Sequence, residues 1–157
     1  MTIQEGAKIP NVTVKDVNMQ DVTTDELFSG KKVVVFAVPG AFTPTCSNEH
    51  LPGFVASADE IKAKGVDSII CTSVNDAFVM KAWGEAQGTG DKVTMIADGN
   101  AEFARALGLD FDGSGIGFGV RSQRYAAIVD DGVVTTLAVE APSKFEVSKA
   151  ESILAKL

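Results

Sequence analysis

The spacing of apolar and polar positions changes several times along the chain, and each change predicts an element. Asn11-Val12-Thr13-Val14-Lys15-Asp16-Val17 alternates, as a strand buried on one side does. Thr23-x-x-Glu26 has the spacing of a capping box, in which hydroxyl and carboxylate each accept the other residue's backbone N–H; it predicts a short turn of helix. Residues 32–38 form a valine-rich apolar run without alternation, which suits a central strand covered on both faces. Pro39-Gly40 ends that run, and Thr43-Pro44 reads as the N-cap and first residue of a helix. Pro52-Gly53 should kink or restart this helix, which then runs from about Phe54 to Lys64 before Gly65 stops it.

Val66 to Val74 reads as a second core strand, and Asn75-Asp76 can cap a helix through about Gln87 that carries Phe78, Val79, Ala82 and Trp83. Lys92–Ala97 is a third strand and Ala101–Leu107 a short helix. A glycine-rich segment, Asp110–Gly119, reads as a mobile loop leading into a strand over Val120–Val129. Asp131-Gly132 marks a tight turn, from which Val133–Val139 returns as the partner of a hairpin. Ser148-x-x-Glu151 is a second capping-box spacing, opening a terminal helix that ends at Leu157. A βα-rich first half followed by a hairpin and a closing helix predicts an α/β chain with a mixed central sheet flanked by helices. That is the plan of a thioredoxin-like fold with an inserted unit, in one domain over residues 1–157.

Composition narrows the function. At 157 residues the chain can bury a full core without disulfides or metal. Apolar residues make up 45%, yet no apolar run approaches the roughly 20 residues of a membrane span. The net charge of −7 argues against nucleic acid and against an anionic membrane surface as partners. One histidine and two cysteines fall short of a structural zinc site, and no metal-binding spacing is present. The N-terminal residues carry no basic segment followed by an apolar block, so the cytosol, where thiols stay reduced, is the expected compartment.

The chemistry concentrates at Cys46, inside the first turn of the helix that follows the valine-rich strand. Unpaired backbone N–H groups and the helix dipole favour an anion at such a place, so a thiol there is biased toward the thiolate. A free cysteine is otherwise a small buried hydrophobe. The coincidence of strand end, Pro-Gly turn and helix start argues for the reactive reading. Thr43, across the turn, has a hydroxyl suited to the sulfur or to a substrate oxygen, besides its N-cap role. Cys46 is followed by Ser47-Asn48-Glu49, which excludes a Cys-x-x-Cys dithiol, and position 52 is proline where a phosphate-binding cysteine loop would want arginine. His50 lies on the same helical face; a local ion pair is one reading, and a surface histidine is the plainer one.

The glycines at 113, 115, 117 and 119 precede a strand rather than open a helix, which removes a phosphate-loop reading. In Arg121-Ser122-Gln123-Arg124-Tyr125, Arg121 faces the cysteine if its strand neighbours the first core strand; otherwise it is a surface charge. Cys71, in Ser68-Ile69-Ile70-Cys71-Thr72-Ser73-Val74, reads as an inert core thiol. Pairing it with Cys46 needs Cα atoms within about 7 Å and local rearrangement.

Val38-Pro39-Gly40-Ala41-Phe42-Thr43-Pro44-Thr45-Cys46-Ser47 closely resembles the active-site signature of the peroxiredoxins, and more narrowly of their type-II, or fifth, subfamily. The resemblance continues through His50-Leu51-Pro52-Gly53-Phe54, Ser73-Val74-Asn75-Asp76-Ala77-Phe78-Val79, Lys81-Ala82-Trp83-Gly84, Ala97-Asp98-Gly99 and Gly119-Val120-Arg121-Ser122, nearly the whole chain. It implies a thioredoxin-like fold and thiol-dependent reduction of hydrogen peroxide and small alkyl hydroperoxides, without cofactor or metal. Cys46 would be the peroxidatic nucleophile, with Pro39, Thr43 and Arg121 matching the family frame. Cys71 is the one internal candidate for a resolving thiol. An external thiol, glutathione with glutaredoxin or else thioredoxin, is the favoured reductant. The resemblance also implies a homodimer with Phe42 and Phe78 near its interface; an organellar address stays open if a transit peptide has been removed. The competing class is a redox sensor, relay or holdase that passes the oxidation of Cys46 to a partner. A thiol-transfer enzyme acting on disulfides is weaker, because it lacks Cys-x-x-Cys.

Overall fold

In the computed structural model, which describes residues 1–157, the valine-rich run forms β3 (Lys32–Ala37) and occupies the interior of a seven-stranded mixed sheet. Around it stand β1 (Thr13–Lys15), β2 (Asp21–Thr23), β4 (Ser68–Ser73), β5 (Thr94–Ala97), β8 (Tyr125–Asp130) and β9 (Val133–Val139), in the order β2-β1-β5-β4-β3-β8-β9. β3 pairs in parallel with β4 and antiparallel with β8, so Ala37 lies opposite Thr72 on one side and Tyr125 on the other.

Alternation along β3 divides the core in two. Val34 and Phe36 point to the layer under α2 (Leu51–Ala63), α3 (Ala77–Gln87) and α5 (Ala150–Leu154), with Phe54, Trp83 and Ile153. Val33, Val35 and Ala37 point to the opposite layer, with Phe28 of α1 (Thr24–Phe28) and Phe103 of α4 (Glu102–Ala106). No helix is long and apolar enough to cross a membrane.

Local signals hold where the partner is local. Thr23 and Glu26 form the expected capping box at α1. Asp76 caps α3 by accepting the Val79 N–H at 2.9 Å, and Gly88 closes that helix in the left-handed conformation.

Two expectations need correction, and one strand was not foreseen. The segment 110–122 is a small antiparallel hairpin rather than a loop: β6 (Asp110–Asp112) pairs with β7 (Val120–Ser122) as a separate sheet, so the strand expected over Val120–Val129 is divided. Ser148 does not cap α5, because its hydroxyl donates to Glu140 Oε2 at 2.7 Å instead, and the helix ends at Leu154. β2 carries too few residues to show an apolar pattern, and only its pairing with β1 makes it a strand.

Candidate active site

The chain leaves the sheet at Pro39, since the Val38 N–H still bonds to the Thr72 carbonyl at 3.1 Å. Gly40 permits a close approach there: a Cβ would lie 2.9 Å from Arg121 Nη1 and 3.1 Å from Thr43 Cγ2. The turn closes when the Thr43 hydroxyl donates to the Gly40 carbonyl at 2.7 Å. Thr43 therefore caps with its backbone, its carbonyl accepting the Ser47 N–H at 2.9 Å, while Pro44 opens the helical turn.

From Cys46 to His50 the helix widens into a π turn, in which the Leu51 N–H reaches the Cys46 carbonyl five residues back. This wide turn lies just ahead of Pro52, whose ring would crowd the carbonyl four residues earlier in a regular helix. Pro52-Gly53 does not restart the helix, which runs on from the π turn directly as α2.

Cys46 is fully buried in the layer beneath α2. Its Sγ accepts a hydrogen bond from Arg124 Nη2 at 3.1 Å. Arg124 is the residue that sequence reasoning passed over. β8 pairs with β3 from Tyr125 onward, so the residue just before Tyr125 enters at the end of β3 where the Cys46 turn begins. The signal was the apolar run Tyr125–Val129, which places Arg124 at the mouth of a buried strand.

Arg121, expected at the sulfur, belongs instead to β7 and pairs opposite Phe111. Its Nη1 donates to the Pro39 carbonyl at 3.2 Å and its Nε to the Phe118 carbonyl at 2.9 Å, with its guanidinium 5.0 Å from the Phe118 ring. It ties the turn before Cys46 to the β6–β7 hairpin.

His50 is not a surface residue: it is fully buried and packs between the Phe36, Phe54 and Phe145 rings. Cys46, His50, Phe54 and Ala58 recur every fourth residue and are all buried, and that stripe could have located it. Its Nδ1 lies 2.8 Å from Arg124 Nη1 and its Nε2 lies 3.0 Å from the Ser148 carbonyl. A guanidinium has only donors, so Nδ1 accepts and Nε2 carries the proton. Burial, then the Arg124 charge, hold the pKa down to about 3, against the opposing pull of the Ser148 bond.

The imidazole is thus neutral in the folded chain, whereas in the unfolded chain it titrates near 6.5. Between those values the unfolded chain binds a proton that the folded chain does not. The His50 contribution is full above pH 6.5 and falls as pH drops toward 3, by up to about 1.4 kcal/mol per pH unit. Urea unfolding of the wild type and His50→Asn across this window should give a stability difference with that slope, and a flat difference would refute a neutral buried His50.

Trp83, fully buried, donates from Nε1 to Ser47 Oγ at 2.9 Å and pins the residue beside the nucleophile. Trp83→Phe should lower unfolding stability by about 1–2 kcal/mol through that lost bond and the lost volume. An unchanged denaturant midpoint would show the bond to be dispensable. Cys71 is fully buried in β4, opposite Phe36 and Met95, and is a free thiol, as is Cys46. Burial pushes the Cys71 thiol up, Cys46 adds to the shift and Arg124 opposes it.

Residues 4–154 match the Redoxin family. The chain is 52% identical over 164 residues to peroxiredoxin-2E-2, chloroplastic, of Oryza sativa, covering 99% of this chain and 73% of that protein. Peroxiredoxin-2B of Arabidopsis thaliana is 48% identical over 159 residues, covering 99% and 98% respectively. Reduced Prx3 of Vibrio vulnificus, solved in complex with H2O2, superposes with a TM-score of 0.95 at 61% identity, over 99% of this chain and all of that one. With its core strand ending on a proline turn and its buried cysteine under a guanidinium, the chain belongs to the peroxiredoxins of the Redoxin family, oxidoreductases that act as thiol peroxidases.

Proposed function

We propose that Cys46 is the peroxidatic nucleophile and that its substrates are hydrogen peroxide and small alkyl hydroperoxides. The observation that carries this reading is the Arg124 Nη2 donor, 3.1 Å from a sulfur seated in the first turns of a helix. The guanidinium stabilises negative charge on that sulfur, and the thiolate is the form that attacks. An S–O bond forms as the O–O bond breaks; sulfur loses two electrons and the peroxide gains them. The products are a Cys46 sulfenic acid and an alkoxide or hydroxide, which takes a proton to leave as alcohol or water.

Charge moves from sulfur to the departing oxygen, and donors held in place along that line accelerate the step. Arg124 supplies one. The Thr43 hydroxyl, which rests on the Gly40 carbonyl, can turn to an incoming peroxide oxygen. Pro39, half-buried, shields the sulfur, and Arg121 holds the Pro39 carbonyl. The Vibrio relative solved with H2O2 supports the choice of substrate.

The sulfenic acid is returned to thiol by an external reductant, glutathione with glutaredoxin or thioredoxin. Cys71 is a poor internal resolver, since burial disfavours its thiolate. The compartment is the cytoplasm, and the chloroplastic name of the rice relative allows for an organellar form. Two exposed aromatic side chains, Phe42 at 54% and Phe78 at 70%, support a homodimer in which a second copy covers them.

Intact mass, measured a second after mixing reduced protein with one equivalent of hydrogen peroxide, tests the reading. Gain of one oxygen, absent in Cys46→Ser, is the expected result, and an unchanged mass would overturn it. Loss of two hydrogens would make Cys71 the resolver.

A further inference from the structure

One chain of hydrogen bonds runs from the segment after β9 to the reactive sulfur. Glu140, buried, accepts at Oε2 from the Glu146 N–H at 2.7 Å, the Ser148 N–H at 2.8 Å and the Ser148 hydroxyl at 2.7 Å. These bonds staple residues 140–148 into a closed strap. The Ser148 carbonyl then accepts from His50 Nε2, His50 Nδ1 accepts from Arg124 Nη1, and Arg124 Nη2 donates to Cys46 Sγ. Phe145 of the same strap packs on both partners, its ring 5.7 Å from the Arg124 guanidinium carbon and 5.0 Å from the His50 ring.

We propose that His50 is a positioning residue for peroxide reduction: it holds the Arg124 guanidinium on the Cys46 sulfur and is itself held by the Glu140-stapled strap. The proposal rests on the reading of Cys46 as peroxidatic nucleophile. An arginine side chain loses about 2 kcal/mol of rotamer freedom when ordered, so a guanidinium with one contact at the sulfur would sample other positions. A second acceptor at a fixed place removes that sampling. Only a neutral imidazole with its proton on Nε2 can serve, and the Ser148 carbonyl selects that tautomer. The strap lies outside the sulfur's own turn and meets the site at His50 and at Arg124, whose carbonyl also accepts the Glu140 N–H at 3.0 Å.

The test compares two rate constants on the full chain by rapid quench and intact mass: oxidation by hydrogen peroxide and alkylation by iodoacetamide. Alkylation needs the thiolate but no guanidinium placed on a leaving oxygen. In His50→Phe, which keeps the ring volume and loses the acceptor, peroxide oxidation should fall about 10- to 100-fold, and alkylation far less. In His50→Asn, whose Oδ1 lies where Nδ1 was, most of the peroxide rate should return. Glu140→Gln should lower the ratio of the two constants without touching the site. A wild-type ratio in His50→Phe would overturn the proposal. So would equal proportional loss of both rates in His50→Phe and His50→Asn alongside a lowered thermal midpoint, which marks a structural role only. If His50→Phe does not fold, an unchanged ratio in Glu140→Gln overturns it instead. A wild type inert to peroxide removes the peroxidase reading itself, which the other outcomes leave intact.

Discussion

Cys46→Ser will lose peroxide turnover by about 10⁴- to 10⁶-fold, the scale seen when a nucleophile is removed from an otherwise intact site. Serine retains the shape of the residue, and the surrounding layer of Val34, Phe36, Leu51 and Phe54 remains. What is lost is the nucleophile: a hydroxyl is a far weaker acid than a thiol, the thiolate being the attacking form, and no residue at the site is a base able to activate it. His50 cannot serve, because its Nδ1 is occupied by Arg124 and its Nε2 already carries the proton. Cys71→Ala provides the contrast. Its sulfur lies in the sheet between Phe36 and Met95 and hydrogen-bonds to nothing at the turn, so first-turnover oxidation should persist. Peroxide consumption with excess dithiothreitol, followed over many turnovers, measures both. Sustained turnover in Cys71→Ala also excludes the sensor reading, in which Cys46 reacts once and waits for a partner. Equal loss in the two variants would mean that the sulfurs act as a pair, and external reduction would have to be abandoned.

The elements legible in the sequence are those whose causes lie within a few residues. Within β3 the run Val33–Ala37 is apolar at every second position and in between, which only a strand covered on both faces requires. Asp76 stands three residues before the N–H that it caps. Cys46 was legible for the same reason, since a strand end, a proline turn and a helix start are adjacent in the chain. Arg124, His50 and Ser148 were not, because each is defined by a partner far along it. Arg124 meets Cys46 across 78 positions and His50 across 74, and His50 meets Ser148 across 98. Ser148-x-x-Glu151 had the spacing of a cap, and the Glu140 carboxylate took its hydroxyl. A polar side chain with two available partners goes to the one the tertiary structure buries with it, and spacing alone does not reveal that partner. The error between Arg121 and Arg124 has the same origin. The arginines stand three positions apart, and the break between β7 and β8 decides which reaches the sulfur.

Arg124→Met will slow oxidation of Cys46 by peroxide about 10²- to 10³-fold, the usual consequence of removing a preorganised donor from developing charge. Methionine fills much of the same space, so the loss reports the guanidinium rather than a cavity. Two acceptors would be left without a donor, the Cys46 sulfur and His50 Nδ1, both inside a fully buried layer. The second of these should cost stability as well, by about 1–3 kcal/mol, as an unsatisfied buried acceptor does. Arg121→Met separates the two arginines. Its donors serve the Pro39 and Phe118 carbonyls, so its removal loosens the turn and the hairpin while the Arg124–Cys46 contact stays in place. The rate loss should therefore be the smaller one, and iodoacetamide should alkylate Cys46 in Arg121→Met nearly as it does in the wild type. Single-turnover rates with hydrogen peroxide and a bulkier alkyl hydroperoxide decide between them. A larger loss from Arg121→Met would mean that the β6–β7 hairpin brings Arg121 onto the peroxide during turnover, and the geometry of the resting site would no longer describe the reacting one. A larger loss from Arg124→Met, equal for both peroxides, would place the acceleration at the sulfur, because a residue that only shaped the entrance would discriminate between substrates of different size.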